Sequence, residues 1–264
     1  MTFRKKILFY IIKFNRYVLK RKFIPIFAGP LKGYLWNTSY NYDYLTAEYE
    51  SENTLDIFFS WLKPETVFYD LGANVGYFAF LANRFITTGI IYSFEPVPYN
   101  IAVFKEHLQL NCNRIKNNNI QILPFAIADK EGEVAISNDQ VAIEGNTYVQ
   151  SEYLQVTDRI MVKCYSIDGL LKEGYKKPDV IKIDVEGAEY DVLKGATQTL
   201  KTCKPNILLA THDCHLPGVQ QQCVDLLQEL GYRITKLPSH NKHVAGLDDY
   251  IAIHEQNLVI NDAA

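Results

Sequence analysis

The residues best suited to chemistry fall in three groups, each at the end of an apolar run. In the first, Asp70-Leu71-Gly72-Ala73-Asn74-Val75-Gly76 follows the strand-like Val67 to Tyr69 and precedes a helical pattern, the junction at which doubly wound sheets bind nucleosides. Gly72 and Gly76 leave room for close backbone approach, and Asn74 tolerates the left-handed conformation where a third glycine could stand. A pyrophosphate at this helix N-terminus would face the carboxylate of Asp70. A cationic ligand fits better, and S-adenosylmethionine carries an ammonium and a sulfonium but no phosphate.

Glu95 forms the second group. It ends the run Ile90-Ile91-Tyr92-Ser93-Phe94, nineteen residues after Gly76, at the spacing where an acid accepts hydrogen bonds from ribose hydroxyls. Pro96 holds it extended. Asp70, Gly72, Ala73, Asn74 and Gly76 are then expected to line the methionine part, Glu95 and Pro96 the ribose, and the apolar Val97, Phe125 and Ala126 the adenine.

The third group, Asp184, Glu186, Gly187 and Glu189, leaves a strand-like run that starts at Val180. In an open α/β sheet the strand C-termini line the ligand crevice, so Asp184 is aimed at the same cleft as Asp70 and Glu95. Helix capping is the competing role for these carboxylates. Methyl transfer from a sulfonium is an in-line displacement that depends on positioning and on excluding water, and an aliphatic hydroxyl must also lose its proton. His212, at the end of a fifth strand, is the first choice as base because imidazole titrates near neutrality. Asp184 and Glu186 would orient it or bind the acceptor. A backbone-satisfied strand-end histidine is the alternative. Asp184 with Asp213 could instead hold a divalent cation such as Mg²⁺. The cluster His212-Asp213-Cys214-His215, with Cys223, matches no usual zinc spacing.

These groups need a scaffold that brings strand ends together. Strands are read near residues 67–71, 90–95, 120–126, 179–184 and 206–211, with helices near 75–86, 98–112 and 187–200 between them. That alternation predicts a parallel sheet covered on both faces. A helix over 219–230, a terminating Gly231 and strands at 232–237 and 250–254 close it with an antiparallel pair. Residues 129–178 read as an inserted hairpin region with β-like runs at 133–137, 147–150 and 160–165. The whole is an α/β, Rossmann-like, seven-stranded fold over residues 64–264, preceded by a helical extension over 1–63.

The net charge of −3 hides an asymmetry: nine Lys or Arg and no acid lie within residues 1–42. From Phe3 to Phe23, Ile7, Ile11, Phe14 and Val18 repeat at helical spacing, with Lys5, Lys6, Lys13, Arg16 and Lys20 opposite. Such a helix could lie on an anionic membrane or pack its stripe on the protein. Its longest apolar stretch is too short to span a bilayer. The acidic remainder argues against nucleic acid. Five cysteines without a CxxC pair point to a reducing compartment, the cytoplasm.

On these motifs the chain resembles the FkbM family of S-adenosylmethionine-dependent methyltransferases. The resemblance rests on Asp70, Gly72, Asn74 and Gly76, on Phe94-Glu95-Pro96, and on Lys182, Asp184, Glu186, Gly187, Glu189, Leu193 and Gly195. Weaker echoes are Tyr49-Glu50, Ala126-Ile127-Ala128 and Ser166-Ile167-Asp168. It implies a class I methyltransferase fold and methylation, typically of an oxygen, on sugars, glycolipid or polysaccharide units, or secondary metabolites. One departure is Ala210, where many members carry an acid two positions before the histidine. A nicotinamide-dependent oxidoreductase and a noncatalytic membrane-associated protein are the rival readings. Asp70 beside the loop speaks against the first.

Overall fold

The computed structural model describes residues 3–39, 42–137, 159–238 and 245–257. The chain opens with α1 (Phe3–Lys13), which continues into a π-helical turn at Phe14–Val18, then β1 (Phe23–Pro25), β2 (Leu35–Asn37), α2 (Tyr42–Thr46) and α3 (Glu52–Ser60). Next come β3 (Val67–Leu71), α4 (Tyr77–Asn83), β4 (Ile90–Phe94), α5 (Pro98–Leu110), β5 (Ile120–Leu123), β6 (Ala126–Ile127), β7 (Gly132–Ser137) and β8 (Arg159–Tyr165). The remainder is α6 (Ile167–Lys172), β9 (Val180–Ile183), α7 (Glu189–Lys194), α8 (Thr197–Cys203), β10 (Asn206–His212), α9 (Val219–Glu229), β11 (Tyr232–Lys236) and β12 (Leu247–His254).

Seven of these strands form one sheet in the order β11-β12-β10-β9-β3-β4-β5. The pairs from β10 through β5 are parallel, and β12 runs antiparallel between β10 and β11. The expected α/β architecture with an antiparallel close is therefore present. β3 and β9 are buried along their whole length, as central parallel strands with both faces covered must be. Phe68 faces one apolar layer, with Phe58, Phe78, Phe80 and Phe104; Tyr69 and Leu71 face the other, with Ile183, Leu193 and Leu209.

Two expected elements are divided in the structure, each for a tertiary reason. The strand expected over 120–126 stops at Leu123, and Ala126–Ile127 leaves to pair with β8 in a separate three-stranded sheet with β7. The helix expected over 187–200 is two helices. Gly195 lies against the Ala128 carbonyl, which a Cβ would approach to 2.2 Å, and Asp168 accepts the backbone N–H groups of Gln198 and Thr199 to cap α8. The run at 147–150 lies outside the described residues, whereas β7 and β8 pair antiparallel from Gly132↔Cys164 to Ser137↔Arg159.

The N-terminal segment is attached by its middle rather than by its helix stripe. Ile24, Ile26, Trp36, Tyr44 and Phe58 share the apolar layer of α4 and α5. Trp36 stacks on His107 at 3.9 Å between ring centroids. His107 Nε2 accepts the Asn37 N–H while Nδ1 meets the Val75 carbonyl. In α1, Ile12 is buried and Leu8 packs on the core, but Ile7, Ile11, Phe14 and Val18 are exposed, together with Tyr10 (68% exposed) and Tyr17 (62%). No helix among the described residues is long and apolar enough to cross a membrane.

Candidate active site

The C-terminal ends of β3, β4 and β9 open on a cleft of about 910 Å³, solvent at its mouth included. On one wall stand Gly72, Asn74, Phe94, Glu95 and Pro96. The loop after β3 turns back over β4: Gly72 and Ala73 both donate their N–H to the Phe94 carbonyl at 3.0 Å. Asn74 has φ +50°, the left-handed conformation expected of it, and its N–H donates to Glu95 Oε2 at 2.8 Å. Its own Oδ1 is buried without a hydrogen-bond partner. Glu95 Oε1 accepts from Val97 N–H and Asn100 Nδ2. Burial raises the Glu95 carboxyl to about 7 against these hydrogen bonds.

The glycines are explained by the protein itself. A Cβ on Gly72, at φ +73°, would come 1.9 Å from the Asp184 carbonyl oxygen, and one on Gly76, at φ +93°, 2.2 Å from the Phe104 ring. Close approach is therefore real, but it is the approach of β9 and α5.

Asp70, Ala73, Gly76 and Val97 are not among the residues that line the cleft. Asp70 is fully buried beneath the loop, 3.7 Å from Lys182 Nζ, and burial lifts its carboxyl to about 6. Lys182 also reaches Asp184 at 3.2 Å and donates to the Gly72 carbonyl at 3.0 Å. Burial opposes its charge, yet Asp184 and Asp70 outweigh that and raise its pKa. The acid beside the loop thus serves as counter-ion to a buried lysine. Val97 is buried and contributes its N–H to Glu95, while Phe125 and Ala126 do line the cleft.

The adjoining part of the lining, at the end of β9, is acidic. Asp184, Glu186 and Asp191 line it, and behind it lies His212, 2% exposed. His212 Nδ1 meets Glu189 Oε1 at 2.8 Å; Nε2 lies 3.3 Å from Glu186 Oε2 and 3.6 Å from Asp184 Oδ1. Burial works against its charge, but Glu186, Glu189 and Asp184 together lift the imidazole to about 10. In this state both ring nitrogens carry protons, so His212 has no lone pair to offer an acceptor. Glu189 also accepts the Gly187 N–H at 2.9 Å, a bond within the turn that leads into α7 and not a cap of the helix itself. Glu186 stands at φ +55°, with burial raising its carboxyl and His215 Nδ1 3.1 Å away.

The other metal arrangements considered do not assemble. Asp213 accepts the Gln220 N–H at 2.7 Å and so caps α9. Cys223 is in the apolar layer beneath that helix, and Cys214 is exposed. Asp249 lies directly opposite Ala210 across the β10–β12 pair, which puts an acid beside the position where the sequence lacks one.

Sequence reasoning gave Tyr49 only as an echo and passed over Asn100, Val134, Ile136 and Asp191, all of which line the cleft. Tyr49 stacks on Tyr44 at 4.2 Å, and burial raises its phenol well above the ordinary range. The alternation of Val134 and Ile136 in β7 was the available signal for a one-faced apolar wall.

Residues 70–234 match the model of the methyltransferase FkbM domain. Hexuronic acid methyltransferase AglP of Haloferax volcanii is 28% identical over 187 residues, covering 70% of this chain and 71% of that protein. Among solved structures, a putative rRNA methylase from Clostridium thermocellum superposes with a TM-score of 0.50 at 8% identity, over 76% of this chain and 93% of that one; this likeness is one of fold. The methyltransferase FkbM from Methylobacillus flagellatus gives 0.49 at 16% identity over 73% of this chain, which spans 44% of that chain's length.

Proposed function

Since the chain belongs to the FkbM methyltransferase family, we propose that the cleft binds S-adenosylmethionine between the Asn74–Glu95 wall and the apolar Phe125–Ala126 edge, and methylates a hydroxyl oxygen held at the Asp184–Glu186 wall. The observation that carries this reading is that both sets of residues line one cleft at the strand C-termini. The unpartnered Asn74 Oδ1 is an acceptor suited to the cofactor's ammonium, and Glu95, fixed by three donors, can still accept from ribose hydroxyls. Bound there, the cofactor supplies an electrophilic methyl group.

The protein's own part is to orient the acceptor and take its proton. Glu186, with a raised pKa and a place in the wall, is suited to receive that proton. His212 and His215 hold its carboxylate in place. The acidic wall disfavours an anionic acceptor atom and favours an uncharged hydroxyl. The relative named for hexuronic acid makes a sugar the first acceptor class to try, followed by glycolipid and secondary-metabolite hydroxyls. The exposed apolar and basic residues of the N-terminal helix support a peripheral stance on an anionic, cytoplasm-facing membrane surface, where a lipid-linked sugar is presented.

Calorimetric titration with S-adenosylmethionine, S-adenosylhomocysteine and NAD, with Glu95→Ala alongside, tests the cofactor site. Micromolar binding of the first two, lost in the variant, is expected. Tight NAD binding, or no nucleoside binding, would overturn it. Transfer of labelled methyl to a panel of sugars then tests the acceptor class.

A further inference from the structure

We propose that Asp184, Glu186 and His212 form a binding site for a divalent cation, with Glu189 as the residue that orients the histidine. The three side chains come from the end of β9 and the end of β10, and one donor atom from each lies within 4.8 Å of the others. The spacing is wider than good hydrogen bonds require. Nε2 of His212 stands 3.3 Å from Glu186 Oε2 and 3.6 Å from Asp184 Oδ1, and Glu186 Oε2 is buried without a well-aligned hydrogen bond. Two donors about 2.2 Å from one ion and at right angles to each other sit roughly 3 Å apart. The interval is one that an ion can fill with little movement.

The histidine is prepared in the manner of a ligand. Its Nδ1 is tied to Glu189 Oε1 at 2.8 Å, and Glu189 is itself fixed by the Gly187 N–H and wholly buried. A carboxylate behind the imidazole sets the tautomer and turns the other ring nitrogen outward, the usual outer support of a metal-bound histidine. Three carboxylates converge on this one imidazole, and a dication would take the place of the Nε2 proton, which is released to solvent while Nδ1–H stays on Glu189.

Two faces of the site matter for its use. His212 closes it from behind, while Asp184 and Glu186 line the cleft, which leaves ligand positions open toward the acceptor. One nitrogen and two carboxylates suit Mn²⁺ and its first-row neighbours better than Ca²⁺, which prefers oxygen alone, or thiolate-seeking ions. An ion there would lower the pKa of an acceptor hydroxyl. The inference rests on the acceptor reading of this wall and deepens it.

Manganese alone, titrated into the chelator-treated full-length protein and followed by electron paramagnetic resonance, tests the proposal. Saturable binding of one ion per chain is expected, with a ¹⁴N modulation in the electron spin echo that disappears in His212→Asn. Glu189→Gln is expected to weaken binding by about 10- to 100-fold, and Asp213→Asn, which alters only a helix cap, to leave it unchanged. No saturable binding up to millimolar Mn²⁺, or binding without a nitrogen ligand, overturns the site. S-adenosylmethionine affinity measured on the same samples separates this failure from failure of the methyltransferase reading. The wild-type spectra decide the matter even if a variant does not fold.

Discussion

His107 and His212 are both deeply buried, 0% and 2% exposed, yet their pKa values move in opposite directions. His107 sits in the joint between the N-terminal segment and α5, against the Trp36 face, with one nitrogen accepting the Asn37 N–H and the other meeting the Val75 carbonyl. Burial prevails there and depresses its pKa to about 4. His212 meets the same desolvation, but three carboxylates reverse it and lift its pKa to about 10. Burial alone therefore does not decide the state of a histidine; its neighbours do. The joint around His107 pairs both ring nitrogens with backbone groups and serves to hold. The wall around His212 gathers like charges at distances that leave bonds incomplete, and such expense marks places that handle ligands.

The sharpest way to break this contrast is to truncate each histidine. His212→Ala is expected to lower methyl transfer about 10³-fold while leaving S-adenosylmethionine affinity within a few-fold, since His212 is not among the residues lining the cleft. Equal loss of both would make His212 a mere prop. Gly72→Ala extends the test to the cofactor wall: the clash with the Asp184 carbonyl at positive φ is expected to cost about 4 kcal/mol in a thermal melt. A cost below 1 kcal/mol would show that β9 yields easily at this contact.

The pH responses of the two regions have opposite signs. For His107 the folded pKa of about 4 lies below the ordinary 6.5. Its contribution, about 3 kcal/mol, is complete above pH 6.5 and disappears as pH falls toward 4. Asp70 and Glu95, raised by burial, gain stability over a similar range and mask this globally. The local reading is the exchange protection of the Asn37 amide, which is expected to drop in acid while that of β3 does not. For metal-free His212 the imidazole nitrogens are expected to remain protonated at pH 8 by ¹⁵N NMR, against a neutral His107. Glu95, at about 7, sharpens the comparison further: S-adenosylmethionine binding is expected to weaken roughly tenfold between pH 8 and 6 as the carboxylate is lost. The smallest stability effect belongs to Tyr10→Ser with Phe14→Ser. Both sites are exposed, so the melting behaviour is expected to stay within about 0.5 kcal/mol, whereas flotation with anionic vesicles is expected to fall.

What was legible in the sequence is what depends on short spacing. The glycine loop, the acid nineteen residues on and the alternating strands are local patterns, and they gave the sheet and the cleft. Distant neighbours made the rest unreadable. The break at Gly195 depends on the Ala128 carbonyl, and Asp168 caps a helix that begins about thirty residues away. Asp213 and Asp184 look equivalent as carboxylates at strand ends, but one is consumed by the Gln220 N–H and the other faces the cleft. The stripe on α1 could have faced inward or outward; Leu8 and Ile12 take the core side, and that outcome depends on the surface offered by the rest of the chain.

The bond from Asn74 N–H to Glu95, together with the two from Gly72 and Ala73 to Phe94, is made entirely between the protein's own groups. A loop already folded has nothing to unfold when a spent cofactor departs and nothing to order when a fresh one arrives. On the proposed reading, exchange at this end of the cleft is then a matter of simple escape.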